Sequence, residues 1–245
     1  MLKIVLLIVA AILVTIGLVW LIDRFFPRKL KPFLILALWA LIIFLGYSIY
    51  NSIMDPIKFN KLKNERYADA IEKLIDIRDS QLAYREVNGK FAKDFPSLVK
   101  FIDTSYFTLT QRRDSVVVDD EMTKRYGVEM TKEITLVDTL GTRSVKDSLF
   151  KSSDRYKTMM NVPHAANNEQ FQLQAGELEQ NGLKIPVFEA SVKKDVLLHD
   201  QDKDLLIQEK QVVSVDGVNG DALMVGSMNE VNTNGNWPKN YGDSE

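Results

Sequence analysis

Two long apolar runs near the N-terminus constrain the fold more than any other feature of the sequence. Residues 4–22 read IVLLIVAAILVTIGLVWLI and residues 33–50 read FLILALWALIIFLGYSIY, and neither run contains a charged residue. A helix needs roughly 20 apolar residues to cross the ~30 Å hydrocarbon core of a bilayer. A core helix of a soluble protein would show a polar face, which both runs lack. The sequence therefore predicts a transmembrane hairpin within residues 1–54, with spans at 4–22 and 33–50 and a connector at 23–32.

A cleaved signal peptide is the alternative interpretation of the first run, because Lys3 precedes the apolar stretch. The run is long for a signal core, however, and Asp23-Arg24-Phe25-Phe26-Pro27 follows it where a signal peptidase needs small residues. We therefore expect the first run to remain in the protein as a helix.

Basic residues predict the orientation of the hairpin. The connector contains Arg24, Arg28, Lys29 and Lys31, whereas the segment before the first span contains only Lys3. Because basic loops stay in the cytoplasm, both termini are expected outside. A second basic group follows the second span and reduces this bias: Lys58, Lys61, Lys63 and Arg66. The prediction is a multi-pass protein of the inner membrane, in contact with the lipid bilayer, with an extracytoplasmic soluble domain.

Residues 55–228 are predicted to form one α+β domain that begins with a long helix. Asp55 and Pro56 are typical of a helix start, and Asn88-Gly89 is typical of a helix end. Four apolar residues lie on one face of this helix: Tyr67, Ile71, Leu74 and Leu82. The face suits either a coiled-coil seam or packing on the chain's own sheet. Packing is favoured because the pattern is not sustained as a heptad repeat.

Beyond this helix the pattern changes to short runs rich in β-branched residues. A short helix is predicted at 94–102, strands at 107–110, 115–118 and 133–137, a hairpin of 170–174 with 184–190 around Asn181-Gly182, and a second hairpin of 211–215 with 222–225. Pro186 places its strand toward a sheet edge, and the polar segment 229–245 is predicted to be a flexible tail. The predicted fold class is α+β: a two-helix transmembrane hairpin, then a long amphipathic helix packed on an antiparallel β-rich ectodomain.

Residues 67–98 resemble a segment of type IV pilin-like proteins and type II secretion pseudopilins. The resemblance lies in AIEKLIDIRDSQLAYREVNGKF at 70–91, followed by Phe95-Pro96-Ser97-Leu98. It implies the layout of those families, in which a membrane helix continues into a helix that backs an antiparallel sheet. Pilins have a single span with an early glutamate, whereas this chain has two apolar runs and no glutamate in either. The resemblance therefore does not imply filament assembly.

Residues able to carry catalysis are few. His164 and His199 are the only histidines and there is no cysteine, so a zinc site would need distant carboxylates. Ser-x-x-Lys occurs at Ser97 and Ser148, without the Lys-Thr-Gly that accompanies it in penicillin-recognising enzymes. The sequence also lacks Gly-x-Ser-x-Gly and the glycine-rich nucleotide-binding loops. It predicts no catalytic residue and no cofactor.

Asp200, Asp202 and Asp204 form the one candidate metal site, because carboxylates at alternate positions can bind calcium. Leu205 stands where a calcium-binding loop needs glycine, and Gln211 stands where it needs glutamate. A solvated polar turn is the favoured interpretation. The run Asp119-Asp120-Glu121 is likewise interpreted as a charged loop.

These observations favour some classes of function over others. The net charge of −2 disfavours nucleic-acid binding, and the absence of ionisable residues from both spans disfavours transport. The sequence favours a non-enzymatic bacterial envelope protein whose ectodomain serves in assembly or in binding other envelope proteins; self-association is left open. The alternative is a membrane-tethered extracytoplasmic enzyme or ligand-binding domain. A cleft with converging acids would favour the alternative, whereas exposed apolar patches or a free sheet edge would favour the first hypothesis.

Overall fold

The structure is a computed structural model that describes residues 12–17, 19–20, 24, 31–151, 153–238 and 241. The chain divides into two compact units, Met1–Lys58 and Phe59–Glu245. The described residues of the first unit are helical, and the second unit combines helices with two small antiparallel sheets. At this level the predicted α+β class is confirmed.

One long helix suits a membrane span. Residues 12–17, 19–20 and 24 of the first unit are helical. The long helix α1 (Lys31–Asn88) begins in this unit and continues into the second. Among the described residues, α1 is the helix whose length and composition fit a span, which suggests membrane association. Its apolar side chains are exposed, as Leu36 is at 70% and Ile43 at 68%. The predicted two-helix hairpin is not shown, because residues 25–30 of the connector lie outside the described residues.

Pro56 lies inside α1, whereas the sequence predicted that a helix begins at Asp55. That prediction is wrong. The apolar run before Pro56 is already helical, and the helix continues beyond it. Because proline has no backbone N–H, one helical hydrogen bond is missing at this position.

The C-terminal part of α1 forms one wall of the core of the second unit. Tyr67 is 1% exposed, Ile71 and Leu74 are fully buried, and Leu82 packs against the same core while partly exposed. The helix ends at Asn88, and Gly89 follows with a φ of 72°. Glycine adopts this left-handed conformation without steric cost, so the chain can turn back here toward α2.

α2 (Phe95–Thr104) returns along the core. Its first N–H groups are capped by Asp94, whose carboxylate accepts a hydrogen bond of 2.8 Å from the Ser97 N–H. Leu98 and Ile102 are fully buried. Pro at the second position of this helix lacks an N–H that would have no helical partner there, so Pro96 suits the helix start.

A two-stranded antiparallel ribbon follows α2. β1 (Tyr106–Val118) pairs with β2 (Thr131–Ser144) along its whole length, and a register shift leaves Leu140 as an extra residue in β2. The three short strands predicted here are parts of this one pair. The polar segment 111–114 is also paired, because strand pairing joins backbone groups whatever the side chains are. The hydrophobic pattern of the sequence does not reveal such pairing.

A short helix connects the two strands of the ribbon. α3 (Asp120–Tyr126) begins after Asp119, whose side chain accepts a hydrogen bond from the Met122 N–H. It ends at Gly127, which has a φ of 69°. The predicted charged loop is therefore wrong: a capping aspartate and a terminal glycine stabilise a short helix in this acidic run.

After β2 the chain crosses to the second sheet through α4 (Val145–Leu149) and a 3₁₀ turn at Arg155–Thr158. Tyr156 in this turn is fully buried, and its hydroxyl donates a hydrogen bond to the Asp103 carboxylate of α2. The turn is thereby held against the helical side of the core.

The second sheet has the strand order β3-β4-β5, all antiparallel. Its strands are β3 (Gln172–Gln180), β4 (Leu183–Lys193) and β5 (Ala222–Gly226). Asn181 and Gly182 join the first two with φ values of 54° and 77°, as predicted for a two-residue turn. Pro186 lies in the central strand, not at an edge. Because β5 pairs only with residues 189–193, the half of β4 around Pro186 has a strand on one side only.

Between β4 and β5 the chain forms α5 (Lys194–Leu197) and α6 (Lys203–Gln211). The predicted hairpin of 211–215 with 222–225 is wrong, because α6 extends to Gln211 and β5 pairs with β4. Val213 and Val215 are 91% and 93% exposed. Their β-branched side chains are thus almost fully exposed, whereas strand preference depends on side-chain packing.

The described residues near the C-terminus pack on β5. Asn236 pairs with Met224 through two hydrogen bonds, of 3.1 Å from its own N–H and 3.0 Å to its side-chain oxygen. Trp237 is 7% exposed and belongs to the core. Segment 229–245 was predicted as a flexible tail from its polar composition. Burial of the large side chain of Trp237 holds the described part of this segment against the core.

Candidate interaction surface

The residues predicted to orient the hairpin belong to the first unit. The guanidinium of Arg24 lies 5.0 Å from the ring centre of Trp20, and Lys31 is the first residue of α1. Arg28 and Lys29 lie outside the described residues. Arginine and tryptophan together are typical of a membrane interface, while the direction of insertion stays a prediction.

The predicted face of the amphipathic helix lies in the second unit's own core. Tyr67, Ile71 and Leu74 are at most 1% exposed, and Leu82 is half-buried beside them. A partner protein cannot reach the first three without unfolding the unit. Any interaction surface of the second unit therefore lies outside these three residues.

Two of the three candidate metal ligands have other partners. Asp200 accepts hydrogen bonds of 2.6 and 2.8 Å from the two terminal nitrogens of Arg66, which hold the pKa of this carboxyl well below its usual range. Asp202 caps α6 by accepting from the N–H groups of Asp204 and Leu205. Asp204 is exposed. Among the described residues, no three His, Asp or Glu side chains converge as metal ligands would.

A buried ionic cluster joins α1, α5 and α6. Lys194 is fully buried, and its Nζ donates to the Glu209 carbonyl at 2.9 Å, to Glu209 Oε1 at 3.2 Å and to the Val218 carbonyl at 2.8 Å. Glu209 also accepts from Lys63 at 2.9 Å and from the Tyr67 hydroxyl at 3.3 Å. Three donors on Lys194 thus meet three acceptors, and the ammonium has no proton left for another partner.

Burial shifts the titration of this cluster. It lowers the pKa of Lys194, although the nearby Glu209 carboxylate opposes the shift. It raises the pKa of Tyr67, and Glu209 adds to that rise. Since every charged group has a bonded partner, the cluster acts as a cross-link between three helices.

A cleft of 370 Å³ opens beside the cluster. Asn64 on its wall accepts a 2.8 Å hydrogen bond from the Tyr241 hydroxyl. The cleft also contains two acids: Glu209 is shared between two lysines, and Asp216 lies on an exposed loop. Of the two described acids in this cleft, one is therefore buried and paired with lysines and the other is exposed.

The two histidines lie in separate places. His164 Nε2 is 2.7 Å from Asp69 Oδ2 on α1, and His199 Nδ1 is 3.2 Å from the Val196 carbonyl. Both are exposed. Arg155 joins the same face of α1 through Asp76, at 2.9 Å. These contacts fix the segment after α4 on α1.

The β1–β2 ribbon is exposed on both faces. Residues 108–114 of β1 and 137–140 of β2 are all exposed. Large apolar side chains are among the exposed residues of the strands and the tip: Leu109, Val116, Val118, Met122, Tyr126, Val128, Met130, Val137 and Leu140. An exposed apolar concentration of this kind is typical of a protein interaction site.

The register distributes these residues over the two faces. Residues directly opposite each other share a face, so Val116 and Val118 lie on the same face as Val137, which is opposite Arg112. Val116 and Val137 are 62% and 55% exposed. The other face contains the half-buried Ile134 and Leu136.

Both outer edges of the ribbon are unpaired. Within the described residues the sheet contains β1 and β2 alone. Unpaired edges present rows of N–H and C=O groups that another strand can bind, and two strands without a covered face are marginally stable in water. The ribbon therefore offers apolar side chains and backbone hydrogen-bonding groups together.

Comparison of the chain with protein-family models, curated proteins and solved structures finds no match. The resemblance to pilin-like proteins stays a prediction.

Sequence reasoning missed two of these features for different reasons. Asp119 and Gly127 are recognisable signals for the ends of α3, and reading them would have placed a helix between two strands. The pairing of Lys194 with Glu209 has no local signal, because the partners lie on different helices.

Proposed function

We propose that this chain is a non-enzymatic envelope protein that serves in assembly or protein–protein interaction through its β1–β2 ribbon, the segment from β1 through α3 to β2. The observation that supports this most is the exposure of the ribbon's apolar side chains, such as Val116 at 62% and Leu140 at 67%, beside two unpaired strand edges. Strand addition to a free edge is a common way for proteins to bind one another.

The proposal includes an N-terminal transmembrane hairpin with its basic connector in the cytoplasm. Support comes from the two uncharged apolar runs and from the basic connector. In this arrangement the second unit is extracytoplasmic, and the ribbon meets proteins of the envelope.

A protein partner fits the ribbon better than a lipid surface does. The tip contains the acids Asp119, Asp120, Glu121 and Glu129 beside the bases Lys124 and Arg125. Anionic lipid head groups attract segments with an excess of lysine and arginine, and this tip has an excess of acids.

The buried polar groups support a role without catalysis. Lys194 and Glu209, the buried charged pair next to the 370 Å³ cleft, bond to each other and to neighbours of the same unit. Catalytic groups need a free lone pair or proton that faces the substrate.

Site-specific photo-crosslinking in living cells tests the proposal. A photoreactive amino acid replaces Val137, which is 55% exposed on the ribbon, and in a matched control replaces Ile207, which is 52% exposed on α6. We expect defined protein adducts from position 137 that are absent from position 207. Mass spectrometry identifies the adducts. Adducts to lipid alone, or equal adducts from both positions, would contradict a binding role for the ribbon.

A topology reporter fused after Glu245 tests the proposed orientation separately. An export-dependent reporter should be active there, and replacement of Arg24, Arg28, Lys29 and Lys31 by Gln should give mixed insertion. Activity of a cytoplasmic reporter at the same position would overturn the orientation.

A further inference from the structure

We infer that the β2 edge of the ribbon binds the β2 edge of a second copy of this chain, which gives a four-stranded sheet in the order β1-β2-β2-β1. This inference rests on the proposed function, since it names the partner of the same surface. Pairing would give each β2 a second neighbour and remove two of the four free edges, which is how short exposed sheets gain stability.

Residues 132, 134, 136 and 138, which share one face of β2, are self-complementary around Thr135. When two identical strands pair antiparallel about a twofold axis at Thr135, residues whose numbers sum to 270 lie opposite each other. On this face Lys132 is opposite Asp138 of the other copy and Ile134 is opposite Leu136, each pair occurring twice, while Glu133 is opposite Val137 on the other face. Opposite charges and apolar residues directly across a strand pair stabilise it. The overlap covers 131–139, which ends before the extra residue Leu140.

The side chains of Lys132 and Asp138 are accessible in a single copy of the chain. Lys132 and Asp138 have side chains 54% and 52% exposed. Lys132 lies 3.6 Å from Asp119, and Asp138 lies 3.0 Å from Arg113. Pairing at β2 would thus extend each contact into a line of alternating charge, Asp119-Lys132 in one copy followed by Asp138-Arg113 in the other.

The β1 edge lacks this complementarity. The twofold register that brings Arg112 opposite Asp114 also brings Arg113 opposite its own copy, and like charges directly opposite are destabilising. The charge pattern therefore selects β2 over β1.

Membrane anchoring favours a second copy over other strands of similar sequence. Two copies anchored in one membrane diffuse in two dimensions. Their effective concentration toward each other is therefore raised without any new contact.

Disulfide crosslinking of the full chain in native membranes tests the inference, since the natural chain has no cysteine. Thr135→Cys should give a disulfide-linked dimer on mild oxidation, because the two Cα atoms would be about 4.5–5.5 Å apart, within disulfide range. Thr110→Cys is the matched control: it is exposed on the same face, but on β1. We expect several-fold less dimer from it, and equal crosslinking of the two would overturn the inference.

Charge reversal tests the register and allows for variants that fail to fold. In the Thr135→Cys background, Lys132→Asp alone and Asp138→Lys alone should each lose the dimer, because each copy then meets like charges. Co-expression of the two variants with different tags should restore a mixed dimer, since positions 132 and 138 then pair an aspartate with a lysine at both contacts. A restored mixed dimer also shows that both variants fold. Absence of mixed dimer from variants whose circular dichroism matches the parent would overturn the register.

The photo-crosslinking at position 137 separates this inference from the proposed function. Adducts to a different protein without any Thr135→Cys dimer would leave the binding role intact and overturn self-pairing. Absence of both would overturn both.

Discussion

Lys194 Nζ lies 3.2 Å from Glu209 Oε1, and the two side chains are 0% and 7% exposed. The two residues differ in the hydrogen bonds that each keeps when the other is replaced. Glu209 keeps a 2.9 Å bond from Lys63, whereas Lys194 would keep only two backbone carbonyls.

We therefore expect Glu209→Gln to destabilise the protein more than Lys194→Met does. The first change leaves a buried ammonium without a counter-charge, which costs about 3–5 kcal/mol. The second leaves two carbonyls unbonded and costs about 1–3 kcal/mol. Urea unfolding of the full chain in mild detergent, followed by circular dichroism, measures both. The reverse order would show that the Lys63 contact does not hold Glu209.

Tyr67→Phe should make stability less sensitive to alkali. Because burial raises the pKa of Tyr67, the unfolded chain loses the phenolic proton near pH 10 while the folded chain keeps it. The parent therefore has this stability in full below pH 10 and loses it as pH rises, by about 1.4 kcal/mol per pH unit. The variant lacks this loss.

At pH 8 we expect the parent to be more stable than Tyr67→Phe by about 1 kcal/mol, the value of one hydrogen bond. Between pH 10 and 11 the difference should shrink and then change sign. Urea midpoints at pH 8, 10 and 11 supply the comparison. A difference that is constant with pH would mean that Tyr67 also ionises in the folded protein.

Leu74→Ala should cost about 2–5 kcal/mol, because the side chain is fully buried in the core of the second unit. Val87→Ala on the same helix is the control: Val87 is 46% exposed, so its truncation should change stability by less than about 0.5 kcal/mol. Thermal melts of the three proteins give the ranking. If Leu74→Ala melts like the parent, the helix face packs on a partner and not on its own unit.

The sequence predicted the elements whose signals are local. The Asn181-Gly182 turn is one, since two residues with positive φ are enough to join β3 to β4. The end of α1 at Asn88, before Gly89, is another. Each depends on the conformational preferences of adjacent residues, which the sequence states directly.

Predictions failed where distant contacts decide. The polar segment 111–114 pairs with β2 through its backbone, and Val213 and Val215 stay exposed although their residue types favour strands. The strand that pairs with β4 is chosen by burial of Leu223 and Val225, a property of the assembled core. The candidate interaction surface could not be predicted for the same reason. The exposure of Val116 and Val137 depends on which parts of the chain lie beside the ribbon.

The burial of Trp237 orders events during synthesis. The apolar part of α1 leaves the ribosome long before Trp237 does, so the second unit still lacks a core residue when this helix emerges. The β3–β4 hairpin forms from neighbouring segments, but the seat of Trp237 beside β5 stays empty until residue 237 has been added. A nascent chain of this kind completes the core of its second unit only after residue 237 has emerged.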